Sequence, residues 1–203
     1  VTPAGTGTAC LAGSPCALSY ANQAAVAGDR VILAPGNYAT PIEPAHGGTP
    51  TSRITYMGSA TNRTNAVVPY IRLGGIYACT PTGNPPCGND KGDYVTVKWV
   101  KTTGDVETLG ELSGSPLIRR WADFDSIAGV TIDGLAAELV VTSHRAVFEG
   151  LTMNGSKVFL ASANPDNNYA PILQYGLHNK LVDCAITLNP TSTGNVWYAR
   201  TAR

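Results

Sequence analysis

The residues best suited to chemistry lie in one short run, Arg119-Arg120-Trp121-Ala122-Asp123-Phe124-Asp125. In an extended chain successive side chains alternate between faces, so Arg119, Trp121, Asp123 and Asp125 would line one side. That row combines a cation, an aromatic platform and two carboxylates. Sugar rings stack on an indole, a guanidinium grips a uronate carboxylate through two hydrogen bonds, and carboxylates accept hydroxyl protons or hold calcium. Calcium is therefore the cofactor these residues would suit. A solvated loop whose charges pair with each other accounts for the same composition. Lys98 and Lys101 bracket Trp99 and Val100, a pattern that fits either a basic groove for an anionic polymer or a plain solvated face. His46, His144 and His178 stand singly, without the paired spacing of a metal site or a nucleophile beside them, and read as structural or surface side chains. Asn164-Pro165-Asp166-Asn167-Asn168 reads as a protruding turn, in which Asx-turn chemistry explains the residues better than calcium does.

The five cysteines bear on compartment. Cys10 and Cys16 lie six positions apart, and Cys79 and Cys87 eight apart around a Pro/Gly/Asn stretch, so each pair can close a small disulfide loop, leaving Cys184 over. The alternative is five reduced, partly buried thiols. Bridges would place the chain in an oxidising compartment, secreted or on a cell surface. Val1 in place of Met fits removal of a secretory signal, and a chain trimmed in any other way would look the same. Asn62-Arg63-Thr64 and Asn154-Gly155-Ser156 are glycosylation sequons, relevant only in a host that modifies Asn.

Composition excludes some partners. Fourteen basic residues balance fourteen acidic ones, so no basic field exists to hold a phosphate backbone, and nucleic acid is not expected. No run of about 18 apolar residues occurs, so no helical membrane span is expected. At 203 residues the chain suits a single domain. With 22 Gly and 14 Pro among many Ser, Thr and Asn, it suits short strands joined by many turns.

The elements that must position the candidate residues follow from local signals. Ser14 is placed to cap a helix and Pro15 to start it, and the Ala-rich stretch from Cys16 to Ala27 ends at Gly28, predicting one helix with a narrow stripe of Ala17, Leu18, Ala21, Ala24 and Ala25. A first strand is expected where the helix stops, in the β-branched run Arg30–Tyr38 that a Pro35-Gly36 turn closes, and a second at Arg53–Tyr56. Then the chain repeats itself. Tyr94–Gly104, Phe124–Gly134, Arg145–Gly155 and Lys180–Asn189 share an apolar–variable alternation closing on Thr or Asp/Asn, aligned on Val100, Val130, Leu151 and Ile186. Such spacing suits the coils of a parallel β-helix, each burying one face of its strands and unable to fold alone. The reading is an all-β, right-handed parallel β-helix: residues 1–28 form an N-terminal cap with its helix, and residues 29–203 form coils of the same domain. The segment around Val196, Trp197 and Tyr198 looks like one more strand without a cap after it. Trp197 and Tyr198 would then anchor a contact with further coils or with another protein subunit. Together with Tyr169 and Tyr175 they suit a sugar-binding face equally well.

The stretch Cys16–Tyr38 (CALSYANQAAVAGDRVILAPGNY), followed by Gly47-Gly48-Thr49-Pro50 and Arg53-Ile54-Thr55-Tyr56, resembles the N-terminal cap and first coils of secreted pectate-lyase-like β-helix proteins, among them the chondroitinase B and alginate lyase family. The resemblance covers about the first 60 residues closely and the later coils by repeat pattern alone. It implies a polysaccharide ligand. In that family a Lys/Arg pair abstracts the proton and an acidic cluster holds calcium, but no segment here matches the catalytic motif residue by residue. The expectation is an extracellular module that recognises polysaccharide, related to polysaccharide lyases but without a complete catalytic set. A non-catalytic structural subunit of a filament, surface layer, phage appendage or larger complex is the rival, and an intact lyase ranks third.

Overall fold

Short β-branched runs broken by Gly, Pro and Asx residues must find their hydrogen-bond partners in distant segments. The structure, a computed structural model, pairs them in parallel throughout three sheets. It describes residues 1–74, 93–108, 125–141, 143, 145–160, 179–188 and 197–199. After the helix α1 (Leu18–Ala24), the chain enters β1 (Arg30–Ile32) and β2 (Gly36–Asn37). Then come β3 (Ile54–Met57), β4 (Ala66–Val68) and β5 (Ile71–Leu73), followed by β6 (Val95–Lys98), β7 (Lys101–Thr102) and β8 (Val106–Thr108). Next are β9 (Ser126–Ala128), β10 (Thr131–Asp133) and β11 (Glu138–Val141), and then β12 (Val147–Glu149), β13 (Thr152–Gly155) and β14 (Lys157–Leu160). The last set is β15 (Lys180–Val182), β16 (Ala185–Leu188) and β17 (Trp197–Ala199). The first sheet orders β1-β3-β6-β9-β12-β15, the second β2-β4-β7-β10-β13-β16, and the third β5-β8-β11-β14-β17. The chain thus visits the sheets in rotation, one strand in each per round, an arrangement compatible with a parallel β-helix. Ile42 extends the third sheet by a parallel bridge to Ile71.

Register makes the core columnar. Val31, Tyr56, Val97, Ile127 and Phe148 follow one another across the first sheet, and all are buried. Ile71, Val106, Leu139 and Val158 do the same in the third. The side-chain period of two explains it: a slip of one residue would turn every one of these columns to solvent. Two polar interruptions are satisfied. Thr102 Oγ1 donates to the Pro69 and Gly104 carbonyls, and Thr108 pairs with Ser143, Oγ to Oγ1, at 2.9 Å. At the other end of the stack, Leu181, Cys184, Ile186 and Leu188 remain half-buried, although their register partners Phe148, Met153 and neighbouring Leu151 are fully covered.

Three sequence expectations are corrected here. The helix starts at Leu18 with Ala17 as its N-cap and no side-chain cap bond, because Ser14 is instead tied to Leu11 in a reciprocal pair of backbone hydrogen bonds. That pairing closes the Cys10–Cys16 loop, whose disulfide is present, and holds Ser14 and Pro15 outside the helix. Of the forecast stripe, Leu18, Ala21 and Ala25 are buried but Ala24 is exposed, its place on the inner face being taken by Asn22. Asn22 Nδ2 donates to the Pro41 carbonyl, and the Asn22 backbone carbonyl accepts the Ala45 N–H, which stitches the helix to the chain below. The Arg30–Tyr38 run, by contrast, ends its first strand before the Pro35-Gly36 turn as expected, and β2 follows from Gly36. Finally, the repeat alignment is off by two in its last member. Ile186 pairs with Met153, so the residue in register with Leu151 is Cys184. A polar-looking Cys concealed an apolar core position.

Candidate functional site

The corner between the first and second sheets is built the same way in four successive rounds. One residue with positive φ, Trp99 (54°), Gly129 (57°), Gly150 (58°) or Asp183 (50°), turns the chain from a first-sheet strand into the next. The first three corner N–H groups bond to the following round: Trp99 to the Ala128 carbonyl at 3.1 Å, Gly129 to Glu149 at 2.8 Å and Gly150 to Val182 at 2.9 Å. Glycine adopts this conformation without penalty, whereas a bulky residue there is a true outlier that costs about 1–2 kcal/mol. Trp99 is therefore held in a strained position where the next two rounds carry glycine. Such strain concentrates where a side chain has to be presented in a fixed direction.

What it presents is a half-buried indole on the outside of the stack. A Cβ on Gly129 would lie 2.9 Å from Trp99 Cδ1 and 3.1 Å from an Arg63 guanidinium nitrogen, so ring and guanidinium converge over the bare Gly129 backbone. Lys98 Nζ sits 5.8 Å from the centroid of the Trp99 ring. Among the described residues the ion pairs are Arg72–Glu107 and Lys101–Asp133, and neither Arg63 nor Lys98 has a carboxylate partner. The corner thus joins an aromatic face to two cations. Among the described residues no carboxylate neutralises either.

Lys101 is different. Its Nζ lies 2.5 Å from Asp133 Oδ2, and this hydrogen bond, with the lysine charge behind it, holds the Asp133 carboxyl below the usual carboxylate range. Asn154 Nδ2 adds a bond to the other oxygen at 3.4 Å, which also occupies the amide of that sequon. On the third sheet Arg72 pairs with Glu107 and lies 5.1 Å from the Tyr70 ring, while the Tyr70 hydroxyl donates to Glu43 at 3.4 Å. This ladder consumes its own charges.

Of the five ligand-binding residues expected from sequence, Arg119, Trp121 and Asp123 lie outside the described residues, as do Cys79 and Cys87. Lys98 ends β6 and is half-buried. Asp125 is not beside it. It is 1% exposed at the start of β9, where Oδ1 accepts the Val95 N–H at 2.8 Å and the Arg53 charge acts on it. Arg53 in turn donates to Thr96 Oγ1 and the Val95 carbonyl. This buried node ties neighbouring rounds together. His46 is exposed, and among the described residues no group of three or more His, Cys, Asp and Glu could hold a metal ion.

Sequence reasoning missed Arg63 and the importance of Trp99 itself. A signal existed for the second, since KWV, AGV and EGL align in the repeats and tryptophan stands at the glycine position. Nothing local signals Arg63, which arrives from the connection between β3 and β4. A concavity of about 590 Å³ lies elsewhere, between the N-terminal segment, α1 and β1, lined by Leu11, Tyr20, Arg30 and Ile32 among others.

The chain matches no family model, no curated protein and no solved structure. Function must therefore be argued from the corner and the sheets alone. In chemical terms the corner can bind, through ring stacking, cation–π attraction and charge. Neither a paired acid and base nor a nucleophile with its base stands at this corner among the described residues.

Proposed function

We propose that the chain is a secreted, right-handed parallel β-helix of the pectate-lyase-like kind that recognises polysaccharide. Rotation of the strands through three parallel sheets and the resemblance of the first 60 residues support the fold. The disulfide and the absence, among the described residues, of a helix long and apolar enough to cross a membrane are compatible with the location. The observation that carries the function is Trp99, an indole kept half-exposed on an outer corner at a cost in backbone strain. Aromatic faces of this kind stack against the apolar face of a sugar ring. Arg119, Trp121 and Asp123, which fall between β8 and β9, are proposed to add to the same recognition, and calcium would enter through Asp123.

Affinity electrophoresis tests the reading. The protein is run through gels containing alginate, pectate, chondroitin sulfate or neutral glucans, and retardation by at least one is expected. Migration unchanged in all of them overturns it.

A second reading, a structural subunit, has its own observation in the half-buried Leu181, Cys184, Ile186 and Leu188. Further coils or a partner subunit, with Trp197 and Tyr198 in the contact, would complete the burial of that end. Mass in solution tests it: a strictly monomeric protein at high concentration, unchanged by Trp197→Ser, rejects the subunit contact.

A further inference from the structure

We infer that Arg63, Lys98 and Trp99 form a subsite for one anionic sugar residue, bearing a carboxylate or a sulfate, bound across the corner above Gly129. This inference rests on the polysaccharide reading and adds the site and the charge of the ligand. Three independent features converge. The Trp99 ring is fixed by a left-handed backbone that any more flexible presentation would avoid. Gly129 leaves free the volume into which both the ring edge and the Arg63 guanidinium reach, the atoms standing 2.9 and 3.1 Å from where a Cβ would lie. Two cations border the ring, Lys98 at 5.8 Å from its centroid, and neither has an acidic partner among the described residues. By contrast Lys101, at the start of β7, is neutralised by Asp133.

The physical logic favours a ring-shaped anion over the alternatives. A neutral sugar would use the indole and leave the exposed Arg63 and half-buried Lys98 without a role. A simple inorganic anion would use the cations and leave the strained indole without a role. A planar fork on Arg63 suits a carboxylate or sulfate in two-point contact, while Lys98 supplies a point charge that tolerates displacement of the ligand along the corner. Subsites of this kind are weak singly and gain strength on a polymer, which presents many residues at high effective concentration.

The test uses matched polymers: polygalacturonate against its methyl ester, and dextran sulfate against dextran, in affinity gels at low salt. Trp99→Gly removes the ring and installs the residue that the next two rounds carry at this corner, so the fold is retained. Arg63→Gln and Lys98→Gln remove the charges. The expected result is preferential retention on one or both charged polymers. Trp99→Gly should weaken it at least tenfold, each charge variant about fivefold, and added salt should weaken the parent more than the Arg63→Gln/Lys98→Gln protein. The charged polymer that responds tells carboxylate from sulfate. Equal retention on charged and uncharged partners overturns the subsite while the polysaccharide reading survives. So does charged-polymer retention that ignores all three substitutions. Retention on no polymer at all overturns both, and is thereby distinguishable.

Discussion

Placing alanine at Gly129 and at Gly150 asks the same corner two different questions. Both residues turn the chain with φ near +57°. Alanine in that conformation costs about 1–2 kcal/mol, and its stiffer unfolded chain returns about 0.4–1 kcal/mol. At Gly150 nothing lies within 4 Å of the new Cβ, so the net destabilisation should be about 1 kcal/mol. At Gly129 the Cβ meets Trp99 Cδ1 at 2.9 Å and Arg63 at 3.1 Å. Arg63 can swing aside, but the ring is anchored by its own corner, and overpacking of this sort adds about 1–3 kcal/mol. Gly129→Ala should therefore cost about 3 kcal/mol in total. Urea unfolding midpoints, converted with a common slope, measure the difference. Trp99→Gly supplies the control: in that background the excess cost of Gly129→Ala should vanish, a coupling of about 2 kcal/mol between the two sites. Equal costs at Gly129 and Gly150, or an excess that persists without the indole, would show that the ring does not lie over Gly129.

The remaining expectations follow from single contacts. Phe148→Ala, in the middle of a fully buried column, should lose about 3–5 kcal/mol, and Leu181→Ala in the last described round distinctly less, as thermal melts of the two will show. The Cys10–Cys16 bridge closes a short loop, so Cys10→Ser should destabilise by about 2 kcal/mol, and an unreduced digest should yield this bridge with Cys184 free. Because Lys101 depresses the Asp133 carboxyl, the stability it lends is complete above the ordinary Asp value and disappears as pH falls through the lowered one; acid unfolding below about pH 4 should flatten in Lys101→Met. Burial drives the Tyr56 phenol upward and that of Tyr38 to about 12, so the folded protein keeps both protonated where the unfolded chain ionises; stability should fall above about pH 10, and an ultraviolet titration should show these two ionising only on unfolding.

The parallel strands were legible because alternation and turn residues repeat along the chain, and the Val31–Phe148 column is that alternation seen edge-on. Helix boundaries were not. Ser14-Pro15 carries a strong local start signal, but the six-residue disulfide loop claims those residues first. Cys184 escaped notice as a core residue because its type suggests redox chemistry more than packing, and only pairing with β13 reveals its place beside Leu151. The site was half legible. Lys98 and Trp99 stand next to each other in sequence, whereas Arg63 is 36 positions away and meets them through the stacking of rounds. Asp125 shows the opposite error, since period two puts it in line with Asp123 but says nothing about which face turns inward, and that face holds the Val95 N–H.

The uneven length of the rounds has a consequence for how such a chain can change. From Val130 to Leu151 there are 21 residues, enough for three strands and nothing spare, whereas 34 separate Ala66 from Val100. Residues 75–92, 109–124 and 161–178 all fall between a third-sheet strand and the next first-sheet strand. Most of the added length thus enters at one point of the cycle, while the corner of Trp99, Gly129, Gly150 and Asp183 keeps a fixed count in those four rounds and is longer only between β3 and β4, where residues 58–65 carry Arg63. A longer closure costs only about 0.6 kcal/mol per doubling. A single inserted residue at the fixed corner would instead reverse the inner and outer faces of everything after it in that strand. The connections from the third sheet to the first therefore hold most of the surplus length. Grafted peptides belong there, and a frameshift-repaired variant that survives selection will carry its surplus there.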